Sequence, residues 1–143
     1  MATISHNNFA INRYRYKRSS TIGRVEFAAI FDTLNPVFDG ARTLRLYTGK
    51  RELVATAQAC IGIQVWNRTY AVNFTVHQNS NALWESLFAC LQNLETCIIS
   101  RNIHGVIYTA SFDLIDLPEN FFIPESPPIL VVNSNELTDL FLQ

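Results

Sequence analysis

Charged residues are scarce in this sequence. Lysine, arginine, aspartate and glutamate make up 16% of its 143 residues, whereas about a quarter is usual in globular proteins. Glycine and proline are also few, with five of each, and this excludes collagen-like and linker-like chains. The apolar share is 48% and the net charge is −1, which does not fit the low hydrophobicity and high net charge of a disordered protein. We therefore expect a single folded domain.

Cysteines and enzyme motifs are equally sparse. The three cysteines form no CxxC pair, so we expect buried thiols rather than disulfides or a closed zinc site. Sequence signatures of phosphate-binding loops, serine hydrolases and zinc proteases are absent. Cys60 and His77 would be diagonal neighbours on a hairpin, but a small residue and a surface histidine explain them better than a nucleophile and its base. We predict no catalytic residue, no metal and no cofactor.

Targeting signals are also missing. The N-terminus lacks the apolar stretch of a secretory signal, and no segment approaches the ~18 apolar residues of a membrane span. We therefore expect an intracellular protein, cytoplasmic or nuclear, with no membrane partner. Its size and lack of enzyme motifs would suit a viral or regulatory accessory factor.

The charges that are present are unevenly distributed. Five basic residues and no acidic ones occur up to position 25, whereas the rest of the chain has six basic and twelve acidic residues. Such asymmetry is typical of a basic tail with a polyanionic partner. It predicts a basic N-terminal arm over residues 1–23 and a single α+β domain over residues 24–143.

Cations alternate with aromatic residues in residues 12–18 of this arm. Cations neutralise phosphates and aromatic rings stack on bases, so the pattern predicts contact with RNA or single-stranded DNA. In an extended chain the cations and the tyrosines would lie on opposite sides. Two alternatives remain: the arm docks on its own acidic body, or it forms a basic edge strand that prevents sheet aggregation. The predicted nucleic-acid-binding residues are Arg13, Tyr14, Arg15, Tyr16, Lys17, Arg18 and Arg24.

Strict alternation of apolar and polar residues predicts a hairpin between strands 53–65 and 70–77. With a two-residue turn at Asn67-Arg68, the apolar positions of both strands fall opposite one another, for example Ala59 opposite Val76. The remaining elements follow from periodicity and turn residues. They are strands at 24–31, 43–48, 106–117 and 129–132, a loop at 32–40, a helix at 82–100 with its apolar stripe on the hairpin, and a capping box at Asn133 and Glu136 before a helical turn at 137–141.

The second face of this hairpin carries almost no charge. From residue 53 to residue 84 the only charged residue is Arg68, although a solvated sheet face normally carries lysine and glutamate. This predicts a covered face, either covered by the rest of the chain or packed against a protein partner or a second copy. The predicted interface residues are Gln58, Gln64, Trp66, Tyr70, Asn73 and Thr75.

Together these patterns predict an α+β fold with a mainly antiparallel sheet of five or six strands and one long helix across one face. The predicted function is that of a small non-enzymatic protein that binds RNA or single-stranded DNA through its basic arm. The alternative is a protein-interaction or self-assembling module that uses the uncharged hairpin face.

Overall fold

The fold is a mixed β-sheet with helices on one face, seen in a computed structural model. The structure describes residues 8–40, 42–59, 71–100, 105–119 and 126–142. The helices are α1 (Arg24–Ile30), α2 (Asn81–Asn93) and α3 (Ser134–Phe141), with 3₁₀ turns at Asp32–Leu34 and Leu114–Asp116. The strands are β1 (Asn8–Asn12), β2 (Tyr14–Arg15), β3 (Arg18–Ser19), β4 (Val37–Asp39), β5 (Thr43–Tyr47), β6 (Leu53–Ala59), β7 (Ala71–Val76), β8 (Cys97–Ser100), β9 (Gly105–Tyr108) and β10 (Ile129–Leu130).

Eight of the described strands form the main sheet, in the order β10-β9-β8-β1-β7-β6-β5-β4, and β2 pairs with β3 separately. Every pair in the main sheet is antiparallel except β9 with β10. The α+β class and the mainly antiparallel pairing are confirmed. The predicted number of five or six strands is wrong, because the shortest strands carry too few residues to show a clear period. The predicted long helix corresponds to α2 and the predicted helical turn at 137–141 to part of α3, whereas α1 was not predicted.

Strand β1 lies in the middle of the sheet, between β7 and β8. Phe9 and Ile11 are buried on the helix side, and they alternate with Asn8, Ala10 and Asn12. The sequence pattern assigns these residues to the N-terminal arm because the asparagines hide a period-two alternation. Residues 8–12 are therefore part of the sheet.

Aromatic rings fill the core between the sheet and the helices. The ring of Phe74 stacks on Phe9 with centroids 5.3 Å apart, and it meets Phe31 at 5.6 Å and Phe27 at 6.0 Å. Aromatic pairs at these separations add about 0.5–1.5 kcal/mol each beyond the burial of their area. Phe74 thus joins β1 and β7 to the helical layer.

Helix α1 replaces the strand predicted at 24–31, which is wrong. Phe27 and Phe31, four residues apart, are both fully buried, and the N–H of Phe27 donates to the Gly23 carbonyl at 3.0 Å. A spacing of four places both rings on one side of a helix, but it would also place them on one face of a strand. The apolar run alone does not separate the two structures, but the alanines at 28 and 29 favour the helix.

Helix α2 begins as predicted and ends earlier. Ser80 caps it by accepting from the N–H of Leu83 at 3.4 Å, and its buried residues include Trp84, Leu87 and Leu91 of the predicted stripe. The helix ends at Asn93, because Glu95 adopts a left-handed φ of 50° and the chain then forms β8. The predicted extension to residue 100 is wrong. It relied on Ile98, which falls at the helical spacing although it belongs to β8.

The register between β6 and β7 differs from the predicted one by four residues. Ala59 lies opposite Val72, and Ala55 rather than Ala59 lies opposite Val76. An even shift keeps each side chain on its face, so Ala55, Ala57, Val72 and Phe74 are buried as the alternation predicts. The predicted turn at Asn67-Arg68 lies outside the described residues.

The C-terminal region is mixed in outcome. Asn133 accepts from the N–H of Glu136 at 2.9 Å and the Glu136 carboxylate accepts from the N–H of Val132 at 3.0 Å. The predicted capping box is therefore confirmed on the Asn133 side, whereas the Glu136 carboxylate reaches the residue before the N-cap instead of the N-cap itself. The strand predicted at 106–117 is wrong beyond Tyr108, because Asp113 instead caps a 3₁₀ turn by accepting from Ile115 N–H at 3.0 Å. The strand predicted at 129–132 is shortened to β10.

Within the described ranges, no helix has the length and apolarity needed to cross a membrane.

Candidate interaction surfaces

The basic segment folds into a short hairpin, which we call the basic hairpin (residues 14–19, β2 and β3). Arg15 pairs with Arg18, so Tyr16 and Lys17 form a two-residue loop. Their φ angles are 53° and 64°, as a type I′ turn requires. This turn normally uses Asn-Gly because bulky residues are strained at positive φ.

Acidic side chains of the body hold the basic hairpin in place. Arg15 pairs with Glu95 at 3.3 Å and Lys17 with Glu119 at 3.1 Å. The N–H of Tyr16 donates to a carboxylate oxygen of Asp116 at 2.8 Å. The structure therefore matches the alternative in which the basic segment docks on its own acidic body.

The two tyrosines of the basic hairpin have opposite environments. Tyr14 is buried with Cys97, Val106, Phe112 and Leu117, a group that we call the second cluster. Tyr16 is 87% exposed at the tip. The expectation that an extended segment places both tyrosines on one side therefore does not hold, because Tyr16 lies in the turn itself.

The other predicted cations also differ in their environment. The Arg13 guanidinium donates to the Thr21 carbonyl at 3.0 Å, and Arg18 is exposed. Arg24 begins α1, and its side chain lies outside the described part of the structure. Among the described cations of this segment, Arg18 alone is both exposed and without an ion pair to a described carboxylate.

A second surface lies on the sheet face opposite the helices. We call its uncharged centre, on β5, β6, β7 and β1, the polar sheet face. The second cluster covers one end of the same side. Strand alternation directs the members of the polar sheet face away from the helical core. The polar sheet face consists of Asn8, Ala10, Thr43, Thr56, Gln58, Asn73 and Thr75.

Gln58 and Asn73 lie directly opposite each other at the centre of this face, and both are exposed. Beside them, Thr75 donates to the side-chain oxygen of Asn8 at 3.0 Å, and the Thr56 hydroxyl bonds His77 at 3.0 Å. The Arg45–Asp39 ion pair, 2.8 Å long, lies toward the edge strand β4. Three predicted interface residues, Gln58, Asn73 and Thr75, are therefore adjacent in the fold.

The other three predicted interface residues, Gln64, Trp66 and Tyr70, lie outside the described residues, as does Cys60. The acidic residues that hold the basic hairpin are absent from the predicted site. The only sequence feature that indicated these contacts is the excess of acidic residues in the body. Glu119 and Lys17 are 102 positions apart, and sequence spacing carries no information on such a contact.

The described cysteines are inert. Burial raises the pKa of the Cys90 thiol to about 12, against a smaller lowering by its hydrogen bond with Thr96, and burial alone raises the pKa of Cys97 to about 12. Both thiols are therefore neutral at physiological pH and poor nucleophiles. Within the described ranges, no three histidine, cysteine or acidic side chains come together in a way that fits a metal ion.

Comparison of the chain with protein-family models, with curated proteins and with solved structures finds no match.

Proposed function

We propose that this chain is a non-enzymatic protein-interaction module that self-associates through the polar sheet face. The observation that carries the proposal is the exposed Gln58–Asn73 pair at the uncharged centre of this face, whose charged strand residues in the described ranges, Arg45 and Asp39, neutralise each other in an ion pair. Interface centres are depleted in charged residues relative to the rest of a protein surface. A surface of this composition is therefore suited to burial against another protein.

A second copy of the chain is the partner that this chemistry favours. In a two-fold interface the same patch meets itself, so a patch of one charge sign would repel its copy. Amide and hydroxyl side chains each donate and accept hydrogen bonds. Gln58, Asn73 and Thr75 can therefore pair with the same residues of a second chain without an opposite charge.

Analytical ultracentrifugation of a Gln58→Lys/Asn73→Lys variant tests the proposal. We expect the wild type to sediment as a dimer, and the variant as a monomer because four lysines would meet across the interface. Gln92→Lys/Asn93→Lys makes the same substitutions at exposed positions near the end of α2 and should remain dimeric. A monomeric wild type, or a variant that dimerises as tightly as the wild type, would contradict the proposal.

RNA or single-stranded DNA binding is a second candidate function, supported by the tip of the basic hairpin. Tyr16 is 87% exposed there and Arg18 is exposed beside it. An exposed ring can stack on a base while a neighbouring cation contacts phosphate. This function ranks second because Arg15 and Lys17 already face carboxylates.

A further inference from the structure

A cavity of about 430 Å³ lies beside the sheet edge formed by β4 and β5. This volume is within the range of small-molecule sites. Tyr47 is half-buried, and Val37 is 51% exposed although it is apolar. The residues that line the cavity are Asn35, Val37, Tyr47, Thr48, Gly49 and Arg51.

Arg51 has a backbone conformation that its residue type disfavours. The N–H of Arg51 donates to the Thr48 carbonyl at 3.0 Å, and the N–H of Thr48 donates to the backbone carbonyl of Glu52 at 2.9 Å. This is the hydrogen-bond pattern of a type I turn followed by a bulge. The bulge residue is left-handed, and Arg51 has a φ of 63°. Glycine is favoured at this position, yet the glycine of this loop is at 49.

Thr48 holds the two sides of the cavity together. Its carbonyl oxygen also accepts from the side-chain amide of Asn35 at 3.3 Å, and Asn35 is itself left-handed with a φ of 50°. Two of the five described residues other than glycine with positive φ therefore line one cavity. Asparagine adopts this conformation readily, whereas a left-handed arginine costs free energy, and residues held in that way concentrate at functional sites.

The side chains of the cavity combine one cation with apolar surface. Arg51 forms no ion pair with a described carboxylate, in contrast to Arg15 and Arg45. A guanidinium binds carboxylate and phosphate through two parallel hydrogen bonds. Tyr47 and Val37 offer an aromatic ring and an aliphatic side chain against which a planar ring can pack.

We propose that this cavity binds a small aromatic anion, with the ring against Tyr47 and Val37 and the carboxylate or phosphate on Arg51. The proposal is independent of self-association, because none of the lining residues belongs to the polar sheet face. The left-handed backbone at Arg51 then keeps this residue in the lining of the cavity.

Amide chemical shifts in two-dimensional NMR spectra test the proposal with four probes. Indole-3-acetate carries a ring and a carboxylate, phenyl phosphate a ring and a phosphate, inorganic phosphate no ring, and benzyl alcohol no charge. We expect saturable shifts at residues 47–52 with at least one aromatic anion, with a dissociation constant on the order of 1 mM for so small a ligand. The other two probes should bind at least tenfold more weakly. If neither aromatic anion shifts these amides, or if benzyl alcohol binds equally well, the proposal is wrong.

Variants at two neighbouring cations separate binding from folding. Arg51→Gly should weaken binding at least tenfold and raise the melting temperature by about 2–4 °C, because it removes the left-handed strain. Lys50→Ala removes the same charge from a residue that does not line the cavity and should bind as the wild type does. Arg51→Lys keeps the charge without the planar fork and should also bind more weakly. Unchanged binding by both Arg51 variants would overturn the proposal.

Discussion

The backbone N–H of Tyr16 donates to the Oδ1 atom of Asp116 at 2.8 Å. The next N–H, that of Lys17, donates to the carbonyl oxygen of the same residue at 2.9 Å. Asp116 therefore satisfies both N–H groups at the strained tip of the basic hairpin. The two exposed ion pairs of the hairpin add only about 0–1 kcal/mol each, so the Asp116 contacts are central to its docking.

Loss of the Asp116 carboxylate should loosen the basic hairpin. We expect Asp116→Ala to lower the free energy of unfolding by about 1 kcal/mol, the net value of one such hydrogen bond, and to speed hydrogen exchange at residues 15–18. Asp116→Asn keeps the accepting oxygen and should lie close to the wild type. Urea unfolding and hydrogen exchange measure both effects. An Ala variant that exchanges as slowly as the wild type would show that the side chain does not hold the hairpin.

Residues suited to a type I′ turn should stabilise the protein. We expect Tyr16→Asn/Lys17→Gly to raise the free energy of unfolding by about 1–2 kcal/mol, because both positions have positive φ and Asn-Gly is the preferred pair there. Lys50→Gly removes the same charge at a position outside the left-handed region, and should be neutral or destabilising. Thermal unfolding compares the three proteins. A less stable double variant would contradict the assigned turn.

The hairpin tip should account for any binding of single-stranded nucleic acid. We expect Tyr16→Ala/Arg18→Ala to bind labelled RNA and single-stranded DNA more weakly and to reduce the slope of log K against log salt by about 0.7, the value for one lost phosphate contact. Lys50→Ala removes an exposed cation that, like Arg18, forms no ion pair with a described carboxylate, and it serves as the control for charge alone. Fluorescence anisotropy over a salt series gives both quantities. No binding at low salt, or equal losses in the two variants, would remove this candidate function.

Alkaline pH should destabilise the protein through its buried thiols. Their pKa is about 12 in the folded state, above the ordinary thiol value, so the folded state holds protons that the unfolded state releases. The stabilising contribution is complete below pH 9 and falls as the pH rises from about 9 toward 12, by up to about 1.4 kcal/mol per pH unit for each thiol. Urea unfolding at pH 8, 9 and 10 should show this decline. It should be smaller in Cys90→Ala/Cys97→Ala, and an equally steep decline in that variant would assign the effect to other groups.

The β6–β7 pair shows what the sequence could predict. Alternation identified which residues face the core, because the side chains of a strand change sides at every residue. It could not fix the register, since Ala59 opposite Val72 and Ala59 opposite Val76 both keep every apolar side chain on one face. In the observed register Phe74 lies opposite Ala57 and packs against Phe9, Phe27 and Phe31, and no local pattern contains these long-range contacts.

The candidate surfaces were also predictable from the sequence only in part. The charge-poor surface was visible in the sequence because Gln58, Asn73 and Thr75 belong to alternating strands. The docking of the basic hairpin was foreseen only as an alternative, since its carboxylates come from distant segments. The cavity at Arg51 could not be predicted, because its shape depends on a left-handed residue where the chain has no glycine.

The position of β1 has a consequence for how the molecule assembles. Strands β4 to β7 form one half of the sheet and β8 to β10 the other, and among the described strands only β1 joins them. β1 is synthesised before either neighbour, yet it can complete its hydrogen bonds only after both have been made. Without β1, each half would expose an unpaired central edge, and a β1 donated by another chain could fill that gap. The sheet is thus closed by the first of its described strands, and exchange of that strand between molecules is the form of misassembly that this order allows.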